Sequence, residues 1–424
     1  MKNCMKRIHV FVFTIIASSV FLSFVCLTEF PSDVIPFFAE WRITMGNGNT
    51  ENDLVNYEHE DYFYDINDGG MDWVVYKSPN SGSTTPNSSN TRSELRQIEE
   101  WTPETGGRMT ANLKVMNVST TGDARVAAAY TVVIGQIHSN QGHKNEPLKL
   151  FYKKFPGHTK GSVFWNYEIN TQGSNSGRWD YSTAVWGHDF SVVGSSPTDY
   201  PAEPVDGIEL GEEFSYEVNV YNGEMHLTFK SEGHETQTFS QSLITSSFTT
   251  EADIPEQVTT LFGPIGQDGV ERPEAYAGEL QYFKQGSYNQ ANGKTPEDNI
   301  VWNTGAETHG GSLDTQYANR AHAEVWFNKG TVGPSIVPGV TSTDDNIDGQ
   351  ISIYPNPAQD LIYIEADGIL NYKASLYDAV GNLMLQSTNQ PTIDVNTIPE
   401  GIYLLQINDL DSNQTVTKSI TIGR

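Results

Sequence analysis

Along most of the chain apolar side chains alternate with polar ones, and the clearest instance is EEFSYEVNVYNGEMHLTFK. Phe214, Tyr216, Val218 and Val220 fall at every second position, Asn222-Gly223 supplies the two positive φ angles of a tight turn, and Met225, Leu227 and Phe229 return on a second arm. The pattern predicts a hairpin. From Glu29 to about Lys329 short segments of this period are separated by Gly, Asn, Ser and Asp clusters, and no helical period is sustained. Further strands are expected in NLKVMNV from Asn112, VAAAYTVVIGQIHS from Val126, SVFWNYEIN from Ser162, GELQYFKQGSYNQ from Gly278 and AEVWFNK from Ala323. So many strands at this spacing predict an all-β domain, a sandwich or jelly roll.

Two long polar stretches interrupt the alternation. One, residues 171–207, carries Trp179, Tyr181 and Trp186, aromatic rings suited either to packing on sugar rings or to a small core of their own. The other, residues 291–320, joins the last two strands of the domain and reads as a rim loop. Residues 331–349 are rich in Pro, Gly, Ser, Thr and Asp and read as a linker. Beyond it, residues 350–424 alternate again in a small second β unit, where Pro355 and Pro357 restrict the first strand to a sheet edge.

Composition narrows the partners. Lys plus Arg number 25 against 53 Asp plus Glu, a formal net charge of −28, so nucleic-acid binding is not expected. Any acidic polymer would need a local basic site. Residues 1–28 place Lys2, Lys6 and Arg7 before an apolar run, the pattern of a signal peptide. Both cysteines, Cys4 and Cys26, fall within it, so the exported body is expected to have no disulfides and no stable membrane insertion after processing.

Three expected strands carry polar residues on one face, where a buried strand would place apolar ones. TRSELRQ aligns Arg92, Glu94 and Arg96; GQIHS aligns Gln136 and His138; YFKQGSYNQ aligns Tyr282, Lys284, Gly286, Tyr288 and Gln290. Gly286 would leave that face open for a ligand to approach the backbone. Taken singly, a charged strand face is most often solvated and a lone His structural. Together they suit proton abstraction beside a carboxylate, followed by loss of a leaving group. Removing the C5 proton of a uronate adds a second negative charge beside the first, and Arg92 and Gln136 can stabilise it. His138 and Tyr288 can serve as base and acid, with no metal or other cofactor required. Lys284 and Arg96 can hold neighbouring carboxylates, and Glu94 would fix the arginine geometry. Lys149 and Lys153, in LKLFYKKFPGHTK, add positive charge where a groove would be lined.

These three motifs resemble the signature strands of polysaccharide lyase family 7, the alginate lyases, in the same order, and FPSDVIPFFAEWRIT and AEVWF extend the resemblance over residues 29–330. It implies a jelly roll that cleaves alginate by β-elimination, leaving unsaturated 4-deoxy-hex-4-enuronate ends. Carried over, Arg92 and Gln136 neutralise the substrate carboxylate, Tyr288 protonates the glycosidic oxygen, and His138 is the base at guluronate. Tyr288 would serve as both base and acid at mannuronate. Ile137 points to guluronate-containing blocks. The two long stretches leave endolytic and exolytic cleavage both open. YPNP, LYDAVGN, IPEGIYLLQI and KSITI resemble the C-terminal sorting domain of type IX secretion, implying contact with the secretion machinery and a secreted or surface-attached enzyme. A monomer is expected. Two other functions compete: a lyase for another polyuronate such as glucuronan, and a noncatalytic carbohydrate-binding jelly roll. A glycoside hydrolase would need two carboxylates flanking the scissile bond, and no strand motif here supplies that pair.

Overall fold

A computed structural model describes residues 30–35, 37–85, 88, 90–173, 180–248, 271–292, 311–338, 351–366, 371–378, 382–409 and 415–423. The expected signal peptide, Trp179 and most of the 331–349 linker lie outside the described residues. The chain divides into two compact units, Met1–Pro338 and Gly339–Arg424.

The described strands of the first unit are, in chain order, β1 (Trp41–Thr44), β2 (Thr50–Glu51), β3 (Phe63–Asp68), β4 (Met71–Pro79), β5 (Asn90–Gln97), β6 (Gly107–Asn117), β7 (Thr131–Ser139) and β8 (Leu148–Lys153). There follow β9 (Lys160–Glu168), β10 (Asp180–Trp186), β11 (Ile208–Glu209), β12 (Glu213–Tyr221), β13 (Glu224–Ser231), β14 (Gln237–Ser242), β15 (Gln281–Asn292) and β16 (His322–Gly333). One sheet runs β10-β9-β8-β7-β15-β5-β1-β2, with β11 added on β9; the other runs β14-β13-β12-β6-β16-β4-β3. The predicted hairpin is β12–β13, with Asn222 at φ 50° and Gly223 at φ 81° between Tyr221 and Glu224.

The inward faces of both sheets meet in one core. Leu95 of β5, Ile137 of β7, Leu150 of β8, Phe283 of β15, Leu113 of β6, Val218 of β12 and Phe327 of β16 are all fully buried in it. Each such side chain contributes roughly 1.5–3 kcal/mol of burial. Because alternate residues point to opposite faces, burying Leu95, Ile137 and Phe283 leaves Arg92, Glu94, Arg96, Gln136, His138 and Lys284 on the other face of the same sheet.

The structure revises three expectations. Residues 171–207 are not one long loop, because Asp180–Trp186 pairs with β9 as a strand. A bulge between Ala184 and Trp186 breaks its period of two, so no sustained alternation marks it. Trp186 is buried and its indole N–H donates to the Glu235 carbonyl at 3.0 Å, which favours packing over sugar contact for this ring. The strand expected from Val126 begins at Thr131 instead, since Tyr130 turns the chain at φ 64°. Gly286 is required for a different reason from the one its pattern suggested. It adopts φ 141°, and a Cβ there would lie 2.5 Å from the Ser93 carbonyl oxygen on β5, so strand contact rather than ligand access demands glycine.

Within residues 291–320 the described part includes the short helix Leu313–Ala318, capped by the Ser312 hydroxyl, which accepts from the Thr315 N–H at 3.3 Å. The second unit holds two small sheets, one of Ile351–Tyr354, Leu361–Ala366 and Thr392–Asp394, the other of Tyr372–Tyr377, Leu383–Thr388, Gly401–Asp409 and Thr415–Ile422. The first strand stops before Pro355 and lies at the edge of its sheet, as its prolines require.

Candidate active site

The three motif strands are neighbours in the order β7-β15-β5. Register pairing sets Tyr288 opposite Arg92, Lys284 opposite both Arg96 and Gln136, and Tyr282 opposite His138. The row through Lys284 extends across the sheet as Asn166, Lys149, Gln136, Lys284, Arg96 and Arg42, one residue from each of six strands.

Glu94 is the hub. It is 2% exposed, and its Oε2 accepts from Arg92 Nη1 at 3.1 Å and from the Lys284 ammonium, while Oε1 accepts from the Gln136 amide. Two cations share one carboxylate, so this patch is net positive inside a strongly acidic protein. Burial pushes the Lys284 ammonium down to about 8, against the pull of Glu94. Arg92 also donates through Nη2 to Ser88 Oγ at 2.8 Å and lies 3.9 Å over the Tyr288 ring, yet its buried Nε has no partner. Gln136 Oε1 is likewise buried without one. Buried polar atoms are normally paired, so an orphaned N–H and an orphaned amide oxygen on either side of one hub mark a place for a polar ligand.

His138 is held by three contacts. Its Nδ1 donates to the Ser139 carbonyl at 2.7 Å, its ring stacks on Tyr282 at 5.1 Å with 10° between planes, and its Nε2 faces Glu146 Oε1 at 3.5 Å. A carbonyl only accepts, so Nδ1 carries the hydrogen and Nε2 of the neutral ring holds the lone pair. Burial lowers the imidazole pKa; Glu146 pulls it up, and Lys284 presses it down.

The remaining candidates are placed less centrally. Arg96 donates to the Gln97 carbonyl at 2.8 Å, pairs with Glu100 and lies 3.9 Å over Tyr282, so its charge is already met within the protein. Gln290 is buried and its amide donates to the Tyr288 carbonyl at 3.4 Å. Lys149 is buried among Glu168 and Asp180, each at 3.1 Å, and Glu146 at 3.6 Å. Lys153 joins a satellite core of Tyr130, Phe155 and Phe190, donating to the carbonyls of Ala127 at 2.8 Å and Val192 at 3.2 Å. Neither lysine presents an unengaged ammonium to a groove, contrary to expectation. Ile137 is fully buried in the inter-sheet core, on the face away from the hub. Among the described residues no group of three or more His, Cys, Asp or Glu is arranged to hold a metal ion.

The alginate lyase family matches residues 35–333. This chain belongs to the alginate lyase family. A second match, to the secretion system C-terminal sorting domain, covers residues 352–422 and marks the protein for export, as a secreted or surface-attached enzyme. The crystal structure of the exolytic PL7 alginate lyase AlyA5 from Zobellia galactanivorans is 62% identical, with a TM-score of 0.71, over 73% of this chain and 100% of that one. An alginate lyase from Klebsiella pneumoniae is 29% identical over 278 residues, which is 58% of this chain and 76% of that one. The protein is thus a polysaccharide lyase on a jelly-roll scaffold, as its strand motifs implied.

In this alginate lyase two residues at the site carry no signal in the sequence, and the role of a third is set only by strand pairing. Ser88 and Glu146 lie outside the motif strands, where no periodicity aims a side chain. Tyr282 shares the Lys284 face, but only the register with β7 shows that its ring supports His138.

Proposed function

We propose that this alginate lyase cleaves by β-elimination, acts at chain ends and favours guluronate-containing blocks. The observation that carries the mechanism is the orphaned Arg92 Nε beside the Gln136 amide, both braced by Glu94. A uronate carboxylate set there would accept from Arg92 Nε and from the second N–H of Gln136. The charge that develops when C5 loses its proton then falls on donors already fixed in place.

The C5–H bond breaks as its proton passes to His138 Nε2, and the electron pair forms the C4=C5 double bond. The C4–O4 bond breaks, and O4 takes the proton of Tyr288 Oη. Positioned acid and base groups of this kind are each worth about 10²–10⁴ in rate. Arg92, 3.9 Å over the Tyr288 ring, stabilises the phenolate left behind. The base at guluronate is His138, the group on which the block preference rests.

Two observations support chain-end attack. The relative that shares 62% of its residues is exolytic. In the polar row, the cationic hub gives way beyond Gln136 to Lys149 already engaged by three carboxylates, so a further uronate would meet no unengaged cation there. The test is to incubate the purified enzyme with alginate, polyguluronate and polymannuronate, following ultraviolet absorbance of the conjugated uronate and product length with time. Absorbance should rise fastest on guluronate-containing polymer, with small products present from the start. No absorbance gain on any polymer overturns the elimination, and early intermediate-length products overturn chain-end attack.

A further inference from the structure

Glu146 lies in the segment between β7 and β8 and carries none of the motif residues, yet its two carboxylate oxygens face different cationic partners. Oε1 is 3.5 Å from His138 Nε2, and Oε2 is 3.6 Å from Lys149 Nζ. Lys149 is in turn anchored by Glu168 and Asp180, both fully buried. Glu146 therefore stands between a fixed lysine and the one imidazole nitrogen that carries a lone pair.

That placement is unfavourable while His138 is neutral, since a carboxylate then faces a lone pair. It becomes favourable once Nε2 gains a proton. The other groups around the ring act unequally: Lys284 on β15 opposes protonation, Glu94 on β5 favours it more weakly than Glu146 does, and Tyr282 contributes its ring face. Glu146 is the carboxylate in direct reach of Nε2.

We propose that Glu146 is a positioning residue for the elimination, serving as counter-ion to the His138 imidazolium formed when the C5 proton arrives and as the acceptor through which that proton leaves. The inference rests on His138 being the base at guluronate. After elimination Nε2–H carries the substrate proton and Tyr288 lacks one. The Nε2–H bond then breaks as an O–H bond forms on Glu146 Oε1, water takes that proton from the partly exposed carboxyl, and the Tyr288 phenolate takes one back from water as its O–H bond re-forms. Lys149, 3.6 Å from Oε2, holds the carboxylate in place for the next cycle. Without Glu146, burial and Lys284 would leave Nε2 a weaker base.

The experiment compares wild type, Glu146→Gln, Glu146→Asp and His138→Asn on polyguluronate and polymannuronate across pH. Glu146→Gln keeps the shape and a hydrogen bond for Lys149 but removes the charge. Its acid limb in kcat/KM on polyguluronate should move down by about one pH unit, the usual effect of losing an adjacent opposite charge. Its plateau kcat should fall while KM changes little. Turnover of mannuronate linkages, where Tyr288 would be base and acid, should keep its wild-type profile. Glu146→Asp should hold the limb near its wild-type position. In the wild-type enzyme, a downfield Nε2 proton should be seen by NMR below the His138 pKa, reporting the carboxylate contact even if a variant fails to fold. An unmoved acid limb in Glu146→Gln, equal losses on both polymers, or no downfield proton would overturn the proposal. Guluronate turnover retained in His138→Asn would instead overturn the assignment of the base.

Discussion

The guanidinium carbon of Arg92 stands 3.9 Å from the centre of the Tyr288 ring, across the register pair that joins β5 to β15. The contact needs only the ring, whereas proton donation needs the hydroxyl. Tyr288→Phe should therefore separate binding from chemistry. We expect kcat to fall by about 10²-fold or more, with oligosaccharide affinity by calorimetry close to wild type. A near-normal kcat would remove Tyr288 from the role of acid.

Glu94 is the shared counter-charge of Arg92 and Lys284 in a site almost closed to water. Removing one partner of a buried ionic group leaves the others uncompensated, at about 3–5 kcal/mol. Glu94→Gln should lower unfolding free energy in urea by that order and abolish turnover, because Arg92 and Gln136 lose their common brace. A variant as stable and as active as wild type would show that the hub is dispensable.

Lys153 should set a pH dependence of stability rather than of catalysis. Burial among aromatic rings pushes its ammonium down to about 7, against an ordinary value of 10.5. Between those values the unfolded chain holds a proton that the folded one lacks, so unfolding free energy gains from rising pH across that window. The stability of wild type relative to Lys153→Met should increase from pH 7 toward pH 10, by at most about 1.4 kcal/mol per unit. A difference that stays flat would show Lys153 charged in the fold throughout.

The two units should also separate in function. Asn219 exchanges hydrogen bonds with Ile336, at 2.8 and 3.0 Å, so the first unit needs the chain through about Pro338. Ending the protein there should leave kcat on alginate unchanged, while in a host with type IX secretion the enzyme should no longer reach the medium or the outer surface. Fractionating the culture and assaying each fraction decides it. Export without the last domain would break the assignment of its sorting role.

Much of this molecule was legible in its residues. Period-two alternation identified β12–β13 with its turn, and the strands of TRSELRQ, GQIHS and YFKQGSYNQ, because burying one strand face commits the other. The same rule placed Arg92, Gln136, His138, Lys284 and Tyr288 on site-facing positions. Strand β10 escaped the same logic, since the bulge between Ala184 and Trp186 interrupts its alternation after only a few residues.

The residues alone fix what is local: which positions alternate, where the chain turns, which motifs match a family. Which strands lie side by side depends on pairing between distant segments, which emerges only when the chain is folded. That pairing brought Lys284 between Gln136 and Arg96, made Glu94 a hub for three partners and set Tyr282 under His138. It also withdrew Lys149 and Lys153 from the expected groove, because a lysine's charge is spent on whatever carboxylate or carbonyl the fold brings within reach. Glu146 shows the same limit from the other side: a residue between strands acquires its partner only when the chain closes around it.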